Sequence, residues 1–274
     1  MTIKQSTELI TPQMAAKYLG FNIQNRKASN GTISKYASDM IAGRWTVCPM
    51  PICFYEDGTV ADGQHRLMAI VESGKPQTFF VLRGLPKSAG LNIDTGKGRT
   101  LVDNATLSGS DPELSNTLIS TARAYEYGAR GDGNISNALR LAIIAQHRIA
   151  CEWAVKHGPH GRSIRNAMVL GAIARAYSHE NDEERLKRYC EVIGTGFGEG
   201  AADSAAIAMR NYLLEKGSVL ASSGLWRDTF LRVQHSISMF MRSKPLKLVR
   251  AVQEEVYPNP YEPVAKQLLA TADE

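Results

Sequence analysis

The chain has 274 residues, 43% of them hydrophobic and 22% charged, with 11 prolines and 23 glycines; this supports a packed core and excludes collagen-like, low-complexity and globally disordered classes. A net charge of +5 is far below that of a histone or a polybasic arm, and no stretch approaches the ~18 uninterrupted apolar residues that a membrane span requires. Met1 to Glu8 lacks a signal-peptide core, and Cys48, Cys53, Cys151 and Cys190 lack the C-x2-C pairing of zinc or redox sites, so a soluble chain in a reducing cytoplasm is expected.

Residues 1–104 hold 12 Lys/Arg against 8 Asp/Glu and residues 105–274 hold 20 against 19, which directs the search for an anion site to the first part. There, Thr32 to Gly43 reads as a helix, with Thr32 as N-cap, Ile33, Ala37, Met40 and Ile41 on one face and Gly43 as the stop. Pro51–Tyr55 and Gly58–Ala61 flank an Asp57-Gly58 step, the signature of a tight hairpin. A second helix begins near His65, with Leu67, Ile70 and Val71 at helical spacing and Gly74 and Pro76 beyond it, and Thr78–Leu82 reads as a buried strand.

After about Asp103 the strand signal fades. Alanine-rich amphipathic stretches follow near 113–129, 136–157, 163–179, 182–193, 203–216 and 223–243, and Trp226, Phe230, Val233, Ile237 and Phe240 form a stripe that reads as packed core. The expected fold class is α+β, a small N-terminal domain over residues 1–105 followed by an all-α helical domain over residues 106–274.

Several motifs fail on context. Gly194 to Gly200 follows a charged helix and reads as a connector, not a phosphate loop; Gly90 to Gly98 has one residue too many for a P-loop and Gly98 where Ser or Thr should stand. His157 and His160 lack a third ligand at zinc spacing, and His147, His179 and His235 have no partners in sequence.

The chemistry-bearing stretch is Val60 to Ile70, where a strand hands over to a helix through Asp62-Gly63-Gln64-His65-Arg66. A helix start offers unsatisfied N–H groups and a positive dipole end, Gly63 admits close approach to the backbone, and His65 and Arg66 add donors, a set suited to a di- or triphosphate. Asp62 beside phosphates makes sense as a Mg²⁺ ligand or as a proton acceptor for an attacking group. The same residues also suit a purely structural turn, with Asp62 capping the helix and His65 and Arg66 at the surface.

This pentapeptide, preceded by a hairpin and followed by an Ala69-containing helix, resembles the signature turn of the ParB/sulfiredoxin superfamily, and its Asp-Gly form is similar to that of the superfamily's free serine kinases. Asn25-Arg26 ahead of the helix from Ile33 resembles the N-terminal box of the ParB fold, and Ile93 to Thr100 resembles a segment of phage and bacterial proteins carrying the same turn; the resemblance covers about residues 10–105. It implies a compact α+β nucleotide-binding domain with ATP or CTP and Mg²⁺ as cofactors. Arg66 and His65 would hold phosphates, Asp62 would orient metal or nucleophile, and Gly63, Gln64, Arg26, Lys97 and Arg99 would complete the cage. The chain departs from sulfiredoxins in lacking their cysteine near Gln64, and from ParB in lacking its G-E-R-R turn and later Glu-Asn box.

Nucleotide hydrolysis or phosphoryl transfer is therefore the nearest chemistry, with a nucleotide-gated DNA-binding or interaction protein, without independent catalysis, as the alternative. DNA and further copies of the chain are the candidate partners, and a membrane is not. For DNA, Gly133 to Leu141 resembles a recognition-helix region, against a reading in which Leu139, Ile143 and Ile144 pack and Arg140 and Arg148 are solvated. A second basic candidate is Arg83, Lys87, Lys97 and Arg99, four positive charges around Asp94 within 17 residues.

Overall fold

The computed structural model describes residues 3–21, 28–92, 100–108, 110–130, 135–217 and 223–270. The fold is mixed α+β, with one four-stranded sheet and a majority of helix. It divides into two compact units, the first made of Met1–Arg99, Asn134–Leu139 and Ala265–Glu274, the second of Thr100–Gly133 and Arg140–Val264.

The first unit opens with strand β1 (Lys4–Ile10) and helix α1 (Pro12–Leu19), whose N-cap Thr11 accepts a hydrogen bond from Met14 N–H. Helix α2 (Asn30–Ile41) and the hairpin β2 (Ile52–Tyr55) and β3 (Val60–Asp62) follow, then α3 (Gln64–Ser73) and β4 (Gln77–Leu85). The sheet order is β1-β4-β2-β3, with β2 parallel to β4 and the other pairs antiparallel. Ile33, Ala37 and Met40 of α2, Leu67 and Ile70 of α3, and Ile52, Phe54, Phe79 and Val81 of the sheet form one buried cluster. Burial of this apolar surface is the main force holding the site's elements in register.

Two details differ from the sequence reading. Helix α2 starts about a turn earlier than Thr32, with Ser29 as its N-cap, and Thr32 donates to the Ser29 carbonyl and hydroxyl oxygens. Ile41 and Val71 are exposed, because each sits one residue, about 100° of helix, beyond the last residue of the packed stripe.

In the second unit, α4 (Leu101–Ser108), α5 (Asn116–Tyr127), α6 (Asn137–His157), α7 (Ala167–Tyr177), α8 (Glu183–Thr195), α9 (Ser204–Lys216) and α10 (Ser223–Met241) follow the expected helical stretches, with α4 added and the first turn of α6 in the other unit. Gly171 lets α7 approach α5, since a Cβ there would lie 2.5 Å from that of Ala124. Phe230, Val233, Ile237 and Phe240 are buried, and half-buried Trp226 donates its indole N–H to Gly128 O at 2.8 Å.

From Lys244 to Pro263 the chain is a strap without regular secondary structure, and helix side chains satisfy much of its backbone. Arg175, 1% exposed, pairs with Glu255 at 2.8 Å and donates to Tyr257 O; Gln234 bonds both Tyr257 N and O. Glu126 accepts from Val264 N–H and Asn259 and pairs with buried His147 at 2.7 Å. The three histidines without sequence partners thus find them in space: His179 bonds Pro258 O and His235 bonds Arg250 O, while His147 meets Glu126. Helix α11 (Val264–Ala270) closes the described chain.

Candidate functional site

Strand β3 ends at Asp62, and α3 begins immediately after Gly63, whose φ of 102° lies in the left-handed region. Glycine is required there twice over, for its conformation and because a Cβ would stand 3.0 Å from Ile52 Cγ1 in the core. The first intrahelical bond runs from Leu67 N–H to Gly63 O, so the earlier amides of α3 have no acceptor within the helix and face outward from its positive end.

Asp62 and Arg66 close the turn on itself. One Asp62 oxygen accepts from Gly63 N–H at 2.6 Å, and the other pairs with Arg66 Nη2 at 2.8 Å. Arg66 is 8% exposed, and its second guanidinium nitrogen donates to Met50 O on the loop before β2. The guanidinium therefore staples α3 to that loop, and both Asp62 oxygens already carry a partner. Asp62 does not cap α3; Gly63 holds the N-cap position and no side chain caps the helix.

His65 reaches a different element. Its Nε2 accepts from Ser29 N–H at 3.0 Å, which requires the lone pair on Nε2 and puts the ring hydrogen on Nδ1. Because Ser29 is the N-cap of α2, this bond brings the starts of α2 and α3 to one corner, with half-buried Gln64 beside it. Two positive helix ends converging on one place make an anion-attracting corner. Arg26, Lys97 and Arg99 lie outside the described residues.

Sequence reading missed Ser29, whose only signal is a serine just ahead of a helix, and Cys53, which pairs with Asp62 across the hairpin. Burial first, and then the Asp62 carboxylate, push the Cys53 thiol up, with Arg66 acting the other way; the thiol is thus held protonated.

The other basic candidates are engaged. Arg83 forms a fork to Glu8 at 2.6 and 3.1 Å and donates to the Tyr18 hydroxyl; Lys87 pairs with Asp57 at 2.7 Å and donates to Thr59. In the candidate recognition region, buried Ser136 donates to Asp39 at 2.6 Å and accepts from Leu139 N–H; Leu139, Ile143 and Ile144 are buried. Arg148 is not simply solvated, since it pairs with Asp111 and Glu152.

Magnesium is commonly held by one or two carboxylates together with substrate phosphates. The described residues contain no group of three or more His, Cys, Asp or Glu suited to a metal. Asp62 retains lone pairs beyond its two hydrogen bonds, so the donor set fits a Mg²⁺ that arrives on phosphates and does not form a cage of its own. No family model, curated protein or solved structure matches the chain.

Proposed function

We propose that the corner formed by the starts of α2 and α3 binds the phosphates of a nucleotide, ATP or CTP with Mg²⁺, within a ParB/sulfiredoxin-like domain, and that the protein hydrolyses the nucleotide or transfers its phosphoryl group. The observation that carries this reading is the Ser29–His65 bond, which joins two helix N-termini beside a left-handed glycine.

In this reading the residues divide their work. The α3 amides, Gln64 and half-buried His65 contact the ligand, while Gly63 supplies the left-handed turn that presents them and packs its bare Cα against Ile52. Arg66 is a positioning residue, since its guanidinium is committed to Asp62 and Met50 O. Asp62 offers its remaining lone pairs to the magnesium that neutralises phosphate charge. Phosphoryl transfer of this kind depends on positioning and charge stabilisation, which a pre-formed turn supplies without reorganisation.

Calorimetric titration of the full chain with ATP, CTP, GTP and ADP in Mg²⁺ tests the proposal. One nucleotide is expected to bind, and His65→Ala is expected to weaken it about tenfold, the equivalent of one charge-assisted hydrogen bond. Absence of binding by the wild type, or equal binding by His65→Ala, would refute it.

A further inference from the structure

The charge count directs attention to the first part of the chain, yet the most concentrated unpaired charge among the described residues lies in the second. Residues 242–250 contain Arg242, Lys244, Lys247 and Arg250 and no acid, whereas the rest of 105–274 holds 16 basic against 19 acidic side chains. All four cations are exposed, and none has a carboxylate within ion-pair distance among the described residues. Neighbouring cations behave differently: Lys187 pairs with Glu183 and Glu184, Arg188 with Glu191 and Asp203, and Arg232 with Asp228.

The segment is a built ribbon. Its chain leaves α10 through Ser243, the only non-glycine residue with positive φ among the described residues, at 54°. Arg185 grips Phe240 O and the Ser243 hydroxyl, Leu246 N–H donates to Ser204, Arg232 donates to Val249 O, and His235 bonds Arg250 O. Positions 243, 246 and 249 are thereby held to the helices, while the cations between and beside them face solvent. Arg250 lies against His235, seven residues from Arg242, about 10 Å along the α10 axis at 1.5 Å per residue. That spread matches about three nucleotides of a duplex strand at 3.4 Å per step.

We infer that this ribbon is a docking surface for the phosphodiester backbone of a nucleic acid, bound without sequence readout. Exposed charges strung over such a length fit an extended polyanion better than a single phosphate, which needs converging donors. A membrane surface fits less well: Leu248 is exposed, but Val249 is buried and Leu246 half-buried against the protein, so the ribbon lacks the apolar face of an interfacial segment.

Fluorescence anisotropy of the full chain with labelled 20-mer duplex DNA and 20-mer single-stranded RNA, without nucleotide, tests the inference independently of the α2/α3 corner. Four phosphate contacts predict about a 150-fold loss of duplex affinity between 50 and 200 mM salt. Lys244→Glu/Lys247→Glu, whose side chains make no hydrogen bond among the described residues, should weaken binding at least tenfold with an unchanged melting temperature; Lys187→Gln/Arg188→Gln should leave it within twofold. The ratio of DNA to RNA affinity identifies which backbone is preferred. The inference is overturned if neither nucleic acid binds at 50 mM salt, if Lys244→Glu/Lys247→Glu binds as the wild type does, or if the chain binds phosphatidylserine-containing vesicles and not nucleic acid.

Discussion

Replacing Gly63 and Gly74 in turn by alanine separates backbone strain from crowding at the turn. Both glycines flank α3 in the left-handed region, Gly63 with φ 102° and Gly74 with φ 65°. At Gly74 a Cβ meets nothing within 4 Å. Its replacement therefore costs only the left-handed conformation, about 1–2 kcal/mol, partly offset by the lower entropy of the unfolded alanine chain. At Gly63 the angle lies outside the left-handed well of L-residues, and the new methyl stands 3.0 and 3.3 Å from two Ile52 carbons and 3.4 Å from its Cα, in a fully buried core position. Overpacking adds about 1–3 kcal/mol, so Gly63→Ala should cost about 2–4 kcal/mol and exceed Gly74→Ala by at least 1 kcal/mol. Urea unfolding with unchanged m-values measures both as shifts in midpoint. Equal costs for the two variants would refute the close approach of β2 and the turn.

Other consequences follow from burial and charge. Burial pushes Glu126 up, but hydrogen bonds from His147, Val264 N–H and Asn259 together outweigh it, and the net direction is down from the ordinary 4.5. The stability it supplies is then complete above that value and is lost as pH falls below it toward the folded value, so the gap in urea midpoint between wild type and Glu126→Gln should narrow from pH 6 to pH 3.5. Arg175→Met removes the buried ion-pair partner of Glu255 and one of the two donors to the strap carbonyl of Tyr257, the other being Gln234, and should cost about 3 kcal/mol, with limited trypsin digestion showing faster cleavage at Arg250. Of the four thiols, Cys48 is half-exposed while burial raises Cys53, Cys151 and Cys190, the last to about 12; a thiol reagent at pH 8 should titrate Cys48 rapidly and the other three only on unfolding.

What could be read in the sequence was local. The Asp57-Gly58 hairpin, the helix start after Gly63 and the helices α5 to α10 announce themselves through turn residues and apolar spacing within a few positions. Strand β1 does not, because only Ile10 of it is buried and its extended form depends on pairing with β4 some seventy residues away. Helix α1 carries a local signal of its own, the N-cap Thr11 before Pro12. The site shows the same division. Its turn was legible, but the burial of Arg66, its hold on the Met50 carbonyl and the Ser29–His65 bond link residues 16 and 36 positions apart, and only the folded core brings them together. The strap was illegible for the same reason, since its anchors Glu126, His147 and Arg175 are polar groups whose partners lie 21 to 138 residues away.

The central claim places nucleotide phosphates at the joined starts of α2 and α3, and amide hydrogen exchange with and without nucleotide and Mg²⁺ tests that location most directly. The account predicts slowed exchange in peptides covering residues 28–34 and 60–68 together. Unchanged exchange in both peptides under saturating nucleotide, or protection confined to other elements, would contradict it.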